Sequence, residues 1–325
     1  MLKNRLNMLK NIFIVLVFNI FTFHNAIAQS NIVKVIVPYA PGGNVDNIAR
    51  AYSKYVSEKF NENWIVENIS GANGIIGASH VAKSKPDGKT LLFSADVHSM
   101  ASLVIKSVPY DAINDFTPIS LVAKAPLIFV VNPDSVKSSN LTQLIDEIKP
   151  NPEKFNFAIS GAGSSPQLGA EIFKSRTNLA LATINYRGTG PAVTDLAGGH
   201  VNLMVVTPLA VMPLIKAGRL KALAVTSKNR FSPLPDIPTT MEAGMPGFEL
   251  ENSYGFWGPK GVPSSQVSKI SQQLKKVSED PELQQRLVEL GVNTAWVSPE
   301  DTARHITKEF KRNQEIYVKA NIKPE

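Results

Sequence analysis

Apolar and polar positions follow two periods along the chain, and the switches between them set out its elements. The β-branched run at residues 33–37 reads as a strand and ends in Pro38-Tyr39-Ala40-Pro41-Gly42-Gly43-Asn44. Over residues 45–60, Ile48, Tyr52, Tyr55, Val56 and Phe60 recur on or near one helical face. The order is strand, glycine-rich turn, helix. Residues 64–68 and 90–94 read as two more strands, with a glycine-rich stretch at 71–77 leading into a short helix at 78–84. Residues 127–131 form an apolar strand pattern, and 141–149 an amphipathic helix stopped by Pro150.

The same unit then recurs. Residues 155–159 read as a strand, Ser160-Gly161-Ala162-Gly163-Ser164-Ser165-Pro166 as a small-residue turn, and 167–176 as a helix with Leu168, Ile172 and Phe173 inward. Strand patterns follow at 182–186, 201–206 and 220–226, with Arg187-Gly188-Thr189-Gly190-Pro191 and Thr207-Pro208 opening the segments between them. The last part is helical, at 265–277, 281–290 and 299–318, with Ser298 at the last N-cap and Pro299 at N1. Proline and glycine cluster between 232 and 261, where the chain is expected to cross between lobes. The pattern predicts an α/β protein of two lobes, each a mainly parallel sheet flanked by helices, with a glycine-rich turn at a strand's carboxyl end in each.

Composition narrows the classes. Over 325 residues, 43% hydrophobic and 19% charged content is that of a folded globular chain, which excludes a disordered tail, a collagen-like repeat and a polytopic membrane protein. Lys3, Arg5 and Lys10 precede an apolar run at 12–23 and the triplet Ala26-Ile27-Ala28, which reads as a signal peptide of residues 1–28 cleaved after Ala28. The run falls short of the ~20 residues needed to span a bilayer. Its removal takes three cations and no acid, so the formal +7 becomes about +4 and a nucleic-acid partner loses its main support. A soluble periplasmic product is expected. With no cysteine, a disulfide framework, a thiolate nucleophile and a thiolate metal site are all excluded.

Chemistry concentrates at the two turns. A helix N-terminus leaves about four backbone N–H groups unpaired and carries roughly half a positive charge, so it attracts carboxylate or phosphate. Glycine lets the anion approach, and Gly42-Gly43 and Gly161-x-Gly163 have that property; Ser164 and Ser165 add hydroxyls. The plainer reading, tight turns and caps, stays open beside it. Asp46 fits a dipole-complementing role or a socket wall, and Arg187 can pair a carboxylate. Tyr39, Ser94, Asp96 and Thr207 stand at strand ends as further wall candidates. Enzyme signatures fail: Lys83 replaces the first glycine of a phosphate-binding loop ending Gly88-Lys89-Thr90, the 160–165 turn lacks Gly-x-Ser-x-Gly, and the histidines lack metal spacing. Gly71-x-x-Gly74-x-x-Gly77 does not match the dinucleotide fingerprint.

The blocks Val35-Ile36-Val37-Pro38-Tyr39-Ala40-Pro41-Gly42-Gly43-Asn44-Val45-Asp46, Pro86-Asp87-Gly88-Lys89-Thr90, Tyr186-Arg187-Gly188-Thr189-Gly190-Pro191 and Pro235-Asp236-Ile237-Pro238-Thr239-Thr240 are similar to those of the substrate-binding receptors of tripartite tricarboxylate transporters, the Bug proteins. The resemblance runs through the mature chain. It implies a two-lobed periplasmic-binding-protein (Venus flytrap) fold, with lobe I at 29–124 and 248–325 and lobe II at 125–247. It also implies a non-enzymatic monomer without cofactor or metal, which binds a small organic anion, often a carboxylate, and presents it to permease subunits or a sensor. Carried over residue by residue, the site is Ala40, Gly42, Gly43, Asn44 and Asp46 in the first loop and Ser160, Gly163, Ser164 and Ser165 in the second. Departures are Ala40 within Tyr39-Ala40-Pro41, Asn44 for a frequent Ser, and Met100-Ala101-Ser102-Leu103 where Asn-Pro is frequent. An exported enzyme acting on a carboxylate-bearing substrate is the alternative.

Overall fold

A computed structural model describes residues 32–95 and 100–324, so the expected leader lies outside the described residues. Strand β1 (Ile32–Val37) pairs in parallel with β2 (Asn63–Asn68) and β3 (Thr90–Ala95), and α1 (Asn44–Phe60) connects the first two. The β1 and β3 side chains are buried on both faces, which is why these strands read as nearly continuous apolar runs. Val35, Val37, Leu91 and Phe93 meet Ile48, Tyr52 and Val56 of α1 on one face. Ile36 and Leu92 meet Ala78 and Val81 of α2 (Ile75–Ala82) on the other.

After the one-turn α3 (Ala101–Val104) comes the long β4 (Phe116–Pro126), and only Leu127 separates it from β5 (Ile128–Val131) of a second sheet. That sheet is built from α4 (Leu141–Ile148), β6 (Asn156–Ile159), α5 (Ser165–Thr177), β7 (Ala182–Asn185), α6 (Thr189–Ala197), β8 (Leu203–Val206), α7 (Pro208–Lys216) and β9 (Lys221–Val225). The chain returns through β10 (Glu251–Pro259) and ends in α8 (Ser264–Ser278), α9 (Pro281–Glu289), β11 (Asn293–Thr294) and α10 (Pro299–Lys319). The strand orders are β11-β4-β10-β3-β1-β2 and β7-β6-β8-β5-β9.

The two-sheet α/β architecture matches the sequence pattern, but the sheets are mixed rather than mainly parallel. Helical crossovers keep β1, β2 and β3 parallel in one sheet and β6, β7 and β8 parallel in the other. The strand by which the chain enters each sheet from the other runs the opposite way. β10 lies antiparallel to β3 and β4, with Glu251 opposite Pro126 and Pro259 opposite Phe116, and β5 lies antiparallel to β8 and β9. β4, which leaves the first sheet, keeps the direction of β3, since both lie antiparallel to β10; β10 and β5, entering from the other sheet, are the strands that run against their neighbours.

α10 ties the halves together on the far side. Its first turn is capped by Ser298, which accepts from the Asp301 N–H, and Thr302 Oγ1 accepts from Leu121 N at 3.0 Å within the first half. Near its other end Tyr317, 2% exposed, is buried in the core of the second sheet with Phe157 and Phe173. At ~1.5 Å per residue, 21 residues reach about 30 Å, enough to bridge both halves. Among the described residues, no helix is long and apolar enough to cross a membrane.

Candidate functional site

The carboxyl ends of parallel strands from both sheets converge on one cavity of about 150 Å³, the place where open α/β sheets bind ligands. Tyr39 reaches it from the turn after β1, Asn73 from the turn after β2, and Ala101, Val104 and Ile105 from the segment after β3. The opposite wall is the turn after β6, residues 160–164. No charged side chain lines the cavity among the described residues.

The second turn is built so that some donors are consumed and others left over. Ser164 caps α5, accepting from Gln167 N, while its hydroxyl donates to the Gly161 carbonyl at 2.7 Å. Gln167 Oε1 accepts from the Gly163 N–H at 2.8 Å, so that amide is not available to a ligand. The Gly161 and Ala162 N–H groups have no partner among the described residues. Gly161 sits at φ 126° with nothing within 4 Å of where a side chain would begin, so its backbone is open to an incoming atom. Ser165 Oγ donates to Asn252 Oδ1 of β10, which pins the start of α5 to the return passage.

The first turn is held from behind. Asp46 is 2% exposed and accepts from Gly42 N at 2.9 Å, Arg50 Nε at 3.0 Å and Asn68 Nδ2 at 2.9 Å. Burial works to raise its carboxyl pKa, yet the bonds from Arg50, Gly42 and Asn68 outweigh it and hold the group below its ordinary value. Both Asp46 oxygens are spent inside the loop, so it shapes the socket from behind. In front, Gly43 caps α1 with no side-chain bond, and the Gly43, Asn44 and Val45 N–H groups have no partner among the described residues. Ala40, Gly42 and Gly43 are exposed and Asn44 is half-buried; these four lie open at the strand end, and of this turn Tyr39 lines the cavity.

Of the remaining candidates, Ser94 is fully buried at the end of β3, outside the cavity lining, and its Oγ has no partner among the described residues. Arg187 is exposed after β7, beside the second turn, where Tyr186 N donates to the Ile159 carbonyl at 2.9 Å. Thr207 begins α7 at the end of β8 without a side-chain cap, outside the cavity lining. Asp96 and His98 lie outside the described residues. Sequence reasoning missed Asn73 and the apolar trio Ala101, Val104 and Ile105. The signal for Asn73 was the Gly71/Gly74 punctuation around a residue that sits at φ 53°, a conformation asparagine tolerates. The trio gave none, because a four-residue helix is too short to show a period.

A larger groove of about 530 Å³ runs between α5 and α10, lined also by Gly247 and Glu249 of the segment before β10, and shares no residue with the turns after β1 and β6. Several of its cations are already engaged: Lys174 with Glu171, Arg312 with Glu309, and Arg176 with the carbonyls of Pro246 and Gly247. The strand-end cavity therefore remains the candidate.

Comparison with known proteins identifies the family. Residues 48–322 match the model of the tripartite tricarboxylate transporter family receptor. A protein of the tcbD-tcbE intergenic region of Pseudomonas sp. (strain P51) is 38% identical over 288 residues, covering 88% of this chain and 85% of that one. The structure of the periplasmic binding protein BugD superposes with a TM-score of 0.77 at 33% identity, over 91% of this chain and all of that one. An R. palustris protein solved with adipate superposes with a TM-score of 0.81 at 31% identity, over 91% and 99% of the two chains. The chain belongs to the tripartite tricarboxylate transporter receptor family, whose members are periplasmic solute-binding receptors and not enzymes.

Proposed function

We propose that this receptor captures a small organic anion through a carboxylate, in the cleft between a lobe of residues 29–124 with 248–325 and a lobe of residues 125–247, and hands it to permease subunits of a tripartite transporter. One observation carries the reading: two helix-opening turns at strand ends leave backbone N–H groups unpartnered beside a cavity without a charged side chain among the described residues. Backbone dipoles at helix N-termini stabilise an anion without the desolvation cost of a buried cation. Ser160, Ser164, Asn73 and Tyr39 supply polar groups at the wall, and Arg187 stands beside the second turn. The adipate held by the structural neighbour supports a carboxylate as the recognised group.

Titration of the purified protein with mono- and dicarboxylates tests this, by calorimetry or thermal melt. A ligand at ~100 times its Kd stabilises the folded state by about 2.7 kcal/mol, which a melt resolves. Binding of neutral molecules alone would remove the anion socket. Mass analysis of the bound fraction is expected to return the ligand unchanged.

A further inference from the structure

The two helix-opening turns are supported in different ways. The first is fastened within its own half: Asp46 accepts from Gly42 N and Arg50 Nε, and Asn68 at the end of β2 donates to Asp46 at 2.9 Å and to the Tyr39 carbonyl at 3.0 Å. The second takes part of its support from the other sheet. Ser165, the first residue of α5, donates through Oγ to Asn252 Oδ1, and Asn252 belongs to β10 of the first sheet, where it lies opposite Ala125 of β4. β4 and β10 are the strands by which the chain leaves the first sheet and returns to it.

Packing beside that bond is incomplete. A cavity of about 20 Å³ lies between the start of α5 and the first half, and it shares Gly163 and Ser164 with the strand-end cavity. Interiors of one rigid core leave few voids of even a water's size, so this seam has the packing of two surfaces brought together. The charges along it are spent elsewhere: Arg312 pairs with Glu309 on its own helix at 2.6 Å. Neither Ser165 nor Asn252 lines the strand-end cavity, so the pair reaches a ligand only through the turn that carries the Gly161 and Ala162 amides.

From this we infer that Ser165 and Asn252 are a positioning pair, whose bond holds the second turn against the return strand in the closed cleft and so sets how long a captured anion stays bound. The inference rests on the anion-capturing cleft proposed above, but not on which anion fills it. A hydrogen bond made in the closed form alone shifts the balance of open and closed forms by about fivefold, the net strength of one such bond. Encounter precedes closure, so the change falls on release.

Distances between spin labels test it. The chain has no cysteine, so Lys54→Cys on α1 and Lys216→Cys on α7, both exposed positions, place one label on each half. Distance distributions with and without adipate report the closed population, and stopped-flow mixing with adipate reports the rates. Ser165→Ala and Asn252→Ala are each expected to lower the ratio of closed to open form and to raise the release rate by about fivefold, with the association rate within about twofold and the ligand-free melt unchanged. The double variant should be no worse than either single one, as for two partners in one bond. Asn252→Asp keeps the accepting oxygen and should restore the parental release rate, which a mere loss of packing does not predict. Two alanine variants keep the test sound should one fold poorly. Unchanged distributions in both, additive losses in the double variant, or no recovery with Asn252→Asp would overturn the pair while leaving the carboxylate reading standing. Binding of no carboxylate by the parent protein would overturn that reading, and the ligand-free distributions then decide the pair alone.

Discussion

Val104 and Gly163 meet across the cleft, one from the short helix after β3 and the other from the turn after β6, so close that glycine is the residue the contact allows. A Cβ on Gly163 would lie 2.6 Å from Val104 Cγ2, and the backbone there has φ 75°, where L side chains are strained. Val104 is counted in the core of the second sheet although its helix follows a strand of the first. The two lobes thus touch through an apolar contact beside the cavity.

Gly163→Ala should hold the lobes apart. A clash plus a strained backbone costs about 1–3 kcal/mol, which falls on the closed form and on the local fold. Ligand affinity is expected to fall at least about tenfold, since 1.4 kcal/mol is a factor of ten. The radius of gyration from X-ray scattering should rise. If affinity and radius both match the parent protein, the contact has no part in closure.

Asp46→Asn tests whether the first socket is held from behind. The substitution keeps the shape, removes the charge and replaces one accepting oxygen by a donor facing Gly42 N, Arg50 or Asn68. Bonds to a charged group are worth about 1.5–3 kcal/mol each, so a loss of about 1–3 kcal/mol is expected after relaxation. The group's folded pKa lies below its ordinary value of 3.8, so its contribution is complete above that value and is lost as pH falls through the lowered one. The Asn variant should lack that acid dependence in denaturant melts between pH 5 and 2. A parallel loss in both proteins would remove Asp46 as its source.

The strand-turn-helix units were legible because their signals are local: an apolar run, a glycine pair and a 3.6-residue period lie within about thirty residues. The antiparallel passages were not. β4 and β10 meet over a separation of more than a hundred residues, with Glu251 opposite Pro126, and no local pattern encodes that direction. The site divides the same way. Gly161 and Gly43 announced open backbone at strand ends, whereas the role of Asp46 depends on Asn68 at the end of β2, twenty-two residues on. Val104 was invisible because its partner is a missing side chain.

Ser94 is expected to matter only when the cleft is filled. Its Oγ is buried without a partner among the described residues, and an unsatisfied hydroxyl costs about 1–3 kcal/mol. Ser94→Ala should therefore leave the ligand-free melting temperature unchanged or raise it. Ligand affinity should fall by about fivefold, the size of one net hydrogen bond made directly or through a water. A lower melting temperature without ligand would show that the hydroxyl is already satisfied; unchanged affinity would remove it from the site.

His305 gives the region between the sheets a pH dependence of its own. It sits on α10 with Nε2 3.2 Å from Ser253 Oγ of β10, beside the start of the return passage. Burial, with the positive charges of Lys124 on β4 and Arg312 and Lys308 on α10, lowers its pKa from 6.5 to about 4. Between those values the unfolded chain binds a proton that the folded one does not, so stability falls as pH drops from 6.5 towards 4 and levels off below. The full shift corresponds to ~3 kcal/mol, and partial exposure reduces the expected loss to about 2 kcal/mol. His305→Gln keeps a polar group near Ser253 and cannot titrate, so its stability should be flatter over that interval in urea titrations. Equal slopes for the two proteins between pH 6.5 and 4 would assign the acid sensitivity to the carboxylates instead.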